Sequence, residues 1–195
     1  MPSPPAFDPA RTAVLSMDLQ DAIVHIYAKG SGLTSRAASV LAHARARGVR
    51  VIHVQFGFRP GWPEVNPVNR LLAAIKANPQ HQAIFEGAAG AIHADVAPQP
   101  GEIVVIKHRV SAFAGTDLDQ VLRANGIDTL VLFGIATSGV VLSTLLEASD
   151  ADYRIAVVKD CCADLDGALH ACLIDRFFPT RADVLTSIEI TGVDG

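Results

Sequence analysis

Thr129-Leu130-Val131-Leu132-Phe133-Gly134-Ile135-Ala136-Thr137-Ser138-Gly139-Val140-Val141-Leu142-Ser143-Thr144 is the stretch whose reading decides the fold. Thr129 to Phe133 form a short apolar strand of the kind buried on both faces. Gly134 ends it, and a helix starts around Thr137 or Ser138. A strand turning directly into a helix is half of a parallel β/α unit, and its first helical turn points at whatever lies beyond the strand ends. A thiol at Val140 would have its thiolate stabilised there by unpaired backbone N–H groups and the helix dipole. Val140 can do none of that.

Outward from this corner the same alternation repeats. Strands are expected at Ala13 to Met17, Arg50 to Gln55, Ile103 to Ile106, Thr129 to Phe133, Arg154 to Val158 and Ala182 to Leu185. Helices are expected at Ser35 to Arg47, Asn69 to Ala77, Thr116 to Ala124, Ser138 to Ser149 and Gly167 to Phe177, with Gly48, Gly126 and Pro179 as stops. Thr116 reads as an N-cap, with Asp117 and Asp119 complementing the helix dipole. Short apolar strands separated by helices predict an α/β fold, a parallel sheet covered on both faces. Residues 1–10, opening Met1-Pro2-Ser3-Pro4-Pro5, read as a flexible leader, and residues 11–195 as one domain without internal repeats.

With 195 residues, half of them hydrophobic, the chain can bury a substantial core. A net charge of −4 gives no sign of a nucleic-acid or anionic-membrane partner. No apolar run approaches a membrane span, and the N-terminus has no signal-peptide core. Three cysteines, two of them adjacent, make a poor disulfide framework, so a reduced, cytoplasmic setting is expected.

Two further segments end in charge. Ala13-Val14-Leu15-Ser16-Met17-Asp18-Leu19-Gln20-Asp21 is a strand that closes on a carboxylate. Val104-Val105-Ile106-Lys107-His108-Arg109-Val110-Ser111-Ala112-Phe113-Ala114-Gly115-Thr116-Asp117-Leu118 is a strand that closes on a lysine. With the Gly134 corner third, this order resembles the isochorismatase-like hydrolase superfamily, the cysteine hydrolase family. The resemblance runs from Arg11 to about Ser187. It implies a three-layer α/β/α sandwich with a Rossmann-like, six-stranded parallel sheet. In the amidase members an Asp, a Lys and a Cys form the catalytic set. Asp18 and Lys107 match the first two, and Val140 falls where the Cys would stand. Some isochorismatases also lack the Cys and hydrolyse a vinyl ether by acid catalysis from the Asp. The resemblance further implies a cis peptide between Ile135 and Ala136, aiming backbone N–H groups into an oxyanion site, and a homo-oligomer, dimer or tetramer.

Each residue has a plainer reading. Asp18 could simply hydrogen-bond backbone at a turn, and Lys107 could reach solvent. Arg109 is either a structural ion-pair residue or a bidentate clamp for a substrate carboxylate. Val140 either lines the pocket or packs with Val141, Thr144 and Leu145 on a buried helix face. Cys161 and Cys162 follow a strand end with no base beside them and read as buried structural thiols. His53, inside an apolar strand, reads as a satisfied core histidine. Metal-dependent nicotinamidases carry an Asp-x-His after their second strand, which is missing here, so no metal is expected. Dinucleotide binding lacks Gly-x-Gly-x-x-Gly, and no cofactor is expected.

The function expected is hydrolysis of a small molecule by Asp18 and Lys107 without a covalent thiol step, vinyl-ether chemistry being favoured over amide chemistry. Gln20, Arg109, Ile135, Ala136, Ser138, Gly139 and Val140 would line the substrate pocket, with the irregular segment from Gly57 to Pro100 as lid or wall. The alternative is a non-catalytic small-molecule-binding protein of the same fold.

Overall fold

The computed structural model describes residues 7–192. Six strands form one sheet: β1 (Thr12–Met17), β2 (Arg50–Phe56), β3 (Ile103–Lys107), β4 (Thr129–Ile135), β5 (Arg154–Ala163) and β6 (Asp183–Leu185). Every pairing is parallel, in the order β3-β2-β1-β4-β5-β6. The helices are α1 (Asp21–Ala28), α2 (Leu33–Ala46), α3 (Arg70–Ala77), α4 (Pro79–Ala83), α5 (Leu118–Ala124), α6 (Leu142–Asp150), α7 (Gly167–Cys172) and α8 (Ser187–Thr191).

The chain winds outward from β1 to β3, then returns to the middle and winds the other way from β4 to β6. Right-handed crossovers therefore cover opposite faces on the two sides of β1, giving the three-layer sandwich. β1 and β4, buried along their whole length, carry the centre of the core. The reversal lies between them, and in sheets of this kind ligands bind beyond the carboxyl ends of the strands at such a point.

All six expected strands form. β5 runs on to Ala163, so Cys161 and Cys162 lie within it and do not follow its end. Thr116 is not the N-cap of α5. Asp117 holds that place, and Thr116, one residue before it, accepts through Oγ1 from Leu118 N–H at 3.2 Å. The helix expected from Ser138 is split into a wide turn over Thr137–Val141 and α6, because Gly139 departs from helical geometry. The helix expected to run through Phe177 stays regular only to Cys172 and then widens over Leu173–Phe177. Of the leader expected over 1–10, residues 1–6 lie outside the described residues. Phe7 packs against the core, and the Asp8 carbonyl accepts from Thr12 Oγ1.

Candidate active site

At the end of β1 the chain turns sharply into α1. Asp18 has φ 54, a left-handed conformation that Asp tolerates better than most residues, and its N–H donates to Val54 O at 2.8 Å. The side chain is thereby held at the crevice, 5 % exposed.

Lys107 closes β3, two strands away. β2 lies between the strands that end in Asp18 and Lys107. The lysine stem bridges the gap. Its Nζ stands 4.1 Å above the Phe56 ring on β2 and donates to Asp18 Oδ2 at 2.8 Å and to Arg109 O at 3.2 Å. Only 1 % of Lys107 is exposed, so the ring and the carboxylate replace water around the ammonium. Asp18 Oδ1 is buried without a hydrogen-bond partner among the described residues. Burial pushes the Asp18 carboxyl above the ordinary carboxylate range, opposed by the charge and hydrogen bond of Lys107 and, after them, by the nearby Phe56 backbone N–H. Burial likewise draws Lys107 below its ordinary value, with Asp18 opposing.

The corner abuts β1. Gly134 has φ 149, and a Cβ there would overlap the carbonyl oxygen of Met17, its register partner. Only glycine allows the strands to approach so closely at the site. The Ile135–Ala136 peptide is cis. Ser138 N–H donates to Asp164 Oδ2 at 2.7 Å, which removes that amide from any oxyanion site. Thr137 Oγ1 is 2.8 Å from His170 Nδ1, so β5 and α7 brace the corner twice. Val140 is buried in the main core cluster. Gly139 is half-buried, and a Cβ on it would touch Ala136 and Val110 at 3.7 and 3.9 Å. Val110 belongs to the loop that follows Lys107, and in that loop Ala112 N–H donates to Thr144 Oγ1 at 3.0 Å. The lysine's loop is in this way docked on the corner.

The segment after β2 walls the crevice. Gln20, fully buried, donates through Nε2 to Phe56 O at 3.0 Å and Gly90 O at 2.7 Å and accepts from Phe56 N–H at 2.9 Å. Its amide is thus engaged by backbone and clamps the wall to β2. Arg109 donates to His108 O at 2.7 Å and Glu64 O at 3.1 Å, leaving part of its guanidinium free. Phe58 stacks on Trp62 at 3.9 Å, and Phe56, Val65 and Leu72 complete a second small core beneath them.

Cys161 and Cys162 are buried, and burial pushes both thiols up, Cys162 to about 12, where a thiolate is inaccessible. His53 is only half satisfied: Nε2 meets Glu102 Oε2 at 3.0 Å, and Nδ1 has no hydrogen-bond partner among the described residues. Among the described residues no group of three His, Cys, Asp or Glu side chains could hold a metal ion. Sequence reasoning missed Thr137, Asp164 and His170. The run Asp164-Leu165-Asp166-Gly167, a helix-start pattern directly after β5, was the available signal.

A doubly wound parallel sheet with a buried carboxylate–ammonium pair at its switch point places the protein among α/β folds whose ligand sites lie at the strand ends. A family model described as the isochorismatase domain matches residues 12–189, and the chain belongs to that family of hydrolases. It is 33% identical over 220 residues to ureidoacrylate amidohydrolase RutB of Methylobacterium radiotolerans, covering 98% of this chain and 84% of the relative. Maleamate amidohydrolase of Pseudomonas putida is 31% identical, covering 83% and 74%. Among solved structures, an isochorismatase family protein from Burkholderia thailandensis superposes with TM-score 0.85 at 30% identity, covering 97% of this chain and 98% of that one.

Proposed function

We propose that the protein hydrolyses a small molecule by proton transfer from Asp18, with Lys107 as charge partner and no covalent thiol intermediate. The observation that carries this is the pair itself. One carboxylate oxygen is held by Lys107 at 2.8 Å, and the other is buried without a hydrogen-bond partner among the described residues. Burial favours the protonated carboxyl, and in this reading Oδ1 is the atom that gives the proton.

Vinyl-ether hydrolysis fits this set. Asp18 protonates the terminal enol carbon, and the ether oxygen stabilises the resulting oxocarbenium ion. Water adds to that cation and returns a proton to the carboxylate, and the hemiketal breaks into a carbonyl compound and an alcohol. The two relatives named above are amidohydrolases by name. In the amidase members of the superfamily amide cleavage relies on the cysteine, and Val140 stands at the matching position. A panel of enol ethers and amides, assayed with wild type and Asp18→Asn, tests the reading: turnover of an enol ether lost in the variant supports it. The burial of Val140 in the core also favours a second reading, a binding protein that kept the crevice and lost catalysis. Ligands that raise the Tm without being turned over would support that one.

A further inference from the structure

The wall over β3 holds a carboxylate that this reaction does not use. Glu64 lies between Trp62 and Val65, both buried in the aromatic cluster, so its backbone is held in place. Its carbonyl accepts from Arg109 at 3.1 Å, and the Arg109 carbonyl accepts from Lys107 Nζ at 3.2 Å. Two hydrogen bonds thus link Glu64 to the ammonium that faces Asp18. Glu64 Oε1 accepts from Arg59 at 2.5 Å and lies 4.0 Å from His108 Nε2. Oε2 is buried and has no hydrogen-bond partner among the described residues.

Burial opposes the charge on Glu64, but hydrogen bonds from its own backbone and from Arg59 outweigh it and hold the carboxyl below its ordinary range. An ionised oxygen removed from water without a donor is unfavourable until a donor arrives. This one stands beyond the carboxyl end of β3, on the side of the sheet where such folds bind ligands.

We propose that Glu64 is a substrate-recognition residue, with Oε2 accepting a hydrogen bond from an ammonium, amide N–H or hydroxyl group of the substrate. That group lies at the end remote from the bond broken beside Asp18, and the inference rests on the crevice being the reaction site. The charge ranks ligands: an ammonium is favoured, a hydroxyl tolerated and a carboxylate at that position rejected.

Three probes of equal length test this by titration calorimetry: 4-aminobutanamide, 4-hydroxybutanamide and succinamate. Wild type should bind the ammonium probe at least about tenfold more tightly than succinamate. Glu64→Gln keeps the shape, and thermal melting checks its fold; it should abolish most of that preference. Equal affinities in wild type, absence of binding by all three included, overturn the assignment, as does a preference unchanged in Glu64→Gln. Asp18→Asn separates the two claims. If it leaves enol-ether turnover unchanged while Glu64→Gln removes the preference, the reading of the crevice fails and the role of Glu64 stands.

Discussion

Lys107 reaches Asp18 across an intervening strand: Nζ and Oδ2 are 2.8 Å apart although β2 separates their strands. Strands one place removed lie about 10 Å apart, so no side chain much shorter than lysine could close that gap. The Phe56 ring beneath the ammonium fixes the path.

That relationship sets the pH dependence. In the proposed mechanism the active form of Asp18 is protonated, so turnover should fall as pH rises through its raised pKa. Lys107 opposes the rise, and Lys107→Met should therefore move the falling limb to higher pH while lowering the maximal rate. A pH–kcat profile checks both. A limb shifted to lower pH would contradict the assigned charge relationship.

Gly134→Ala should destabilise by about 3 kcal/mol or more. The new Cβ would overlap Met17 O, and the φ of 149 suits glycine alone. Denaturant unfolding measures this. A loss below about 1 kcal/mol would show that β1 and β4 separate easily at the site.

Away from the crevice, Glu102 joins β3 to α2 and to His53. Burial alone would raise its pKa; hydrogen bonds from Arg45, Gln99 N–H and His53, with the Arg45 charge, outweigh it and bring the pKa to about 2. Because the folded value lies below the ordinary 4.5, this contribution is present above that pH and lost as pH falls toward about 2. Glu102→Gln should cost about 2 kcal/mol at neutral pH, with the gap narrowing across that window. Melting curves at stepped pH read it, and a gap constant with pH would refute the linkage.

Val140→Cys probes the corner directly. On the proposed reading Asp18 and Lys107 adjoin the corner, so the introduced thiol should titrate below the ordinary value of about 8.5 and react faster than a free cysteine. Exposed Cys172 supplies the internal reference for alkylation. The advantage should disappear when Asp18→Asn is added. A thiol no faster than Cys172 in either background would show that the pocket does not activate nucleophiles.

The strands were legible because apolar runs such as Leu130 to Phe133 need burial on both faces. Asp18 and Lys107 were legible as charged residues closing such runs, but the strand order that separates them depends on crossovers no local pattern encodes. α1 escaped notice because Ile23, Val24, Ile26 and Tyr27 follow β1 with little break and no side chain caps the helix. α8 carries a capping box, Thr186 with Glu189, that was readable and not used. Gln20 and Glu64 gain their roles only through partners brought in from distant segments, the Gly90 carbonyl that accepts from Gln20 and the Arg109 guanidinium that donates to the Glu64 carbonyl.

Turnover of an enol ether such as isochorismate by two variants tests the central claim most directly. Replacing Cys161, Cys162 and Cys172 together by Ser should leave the rate within a few-fold of wild type, while Asp18→Asn, folded equally well, should lower it by at least about 10²-fold. A rate abolished by the cysteine replacements and untouched by Asp18→Asn would contradict the account.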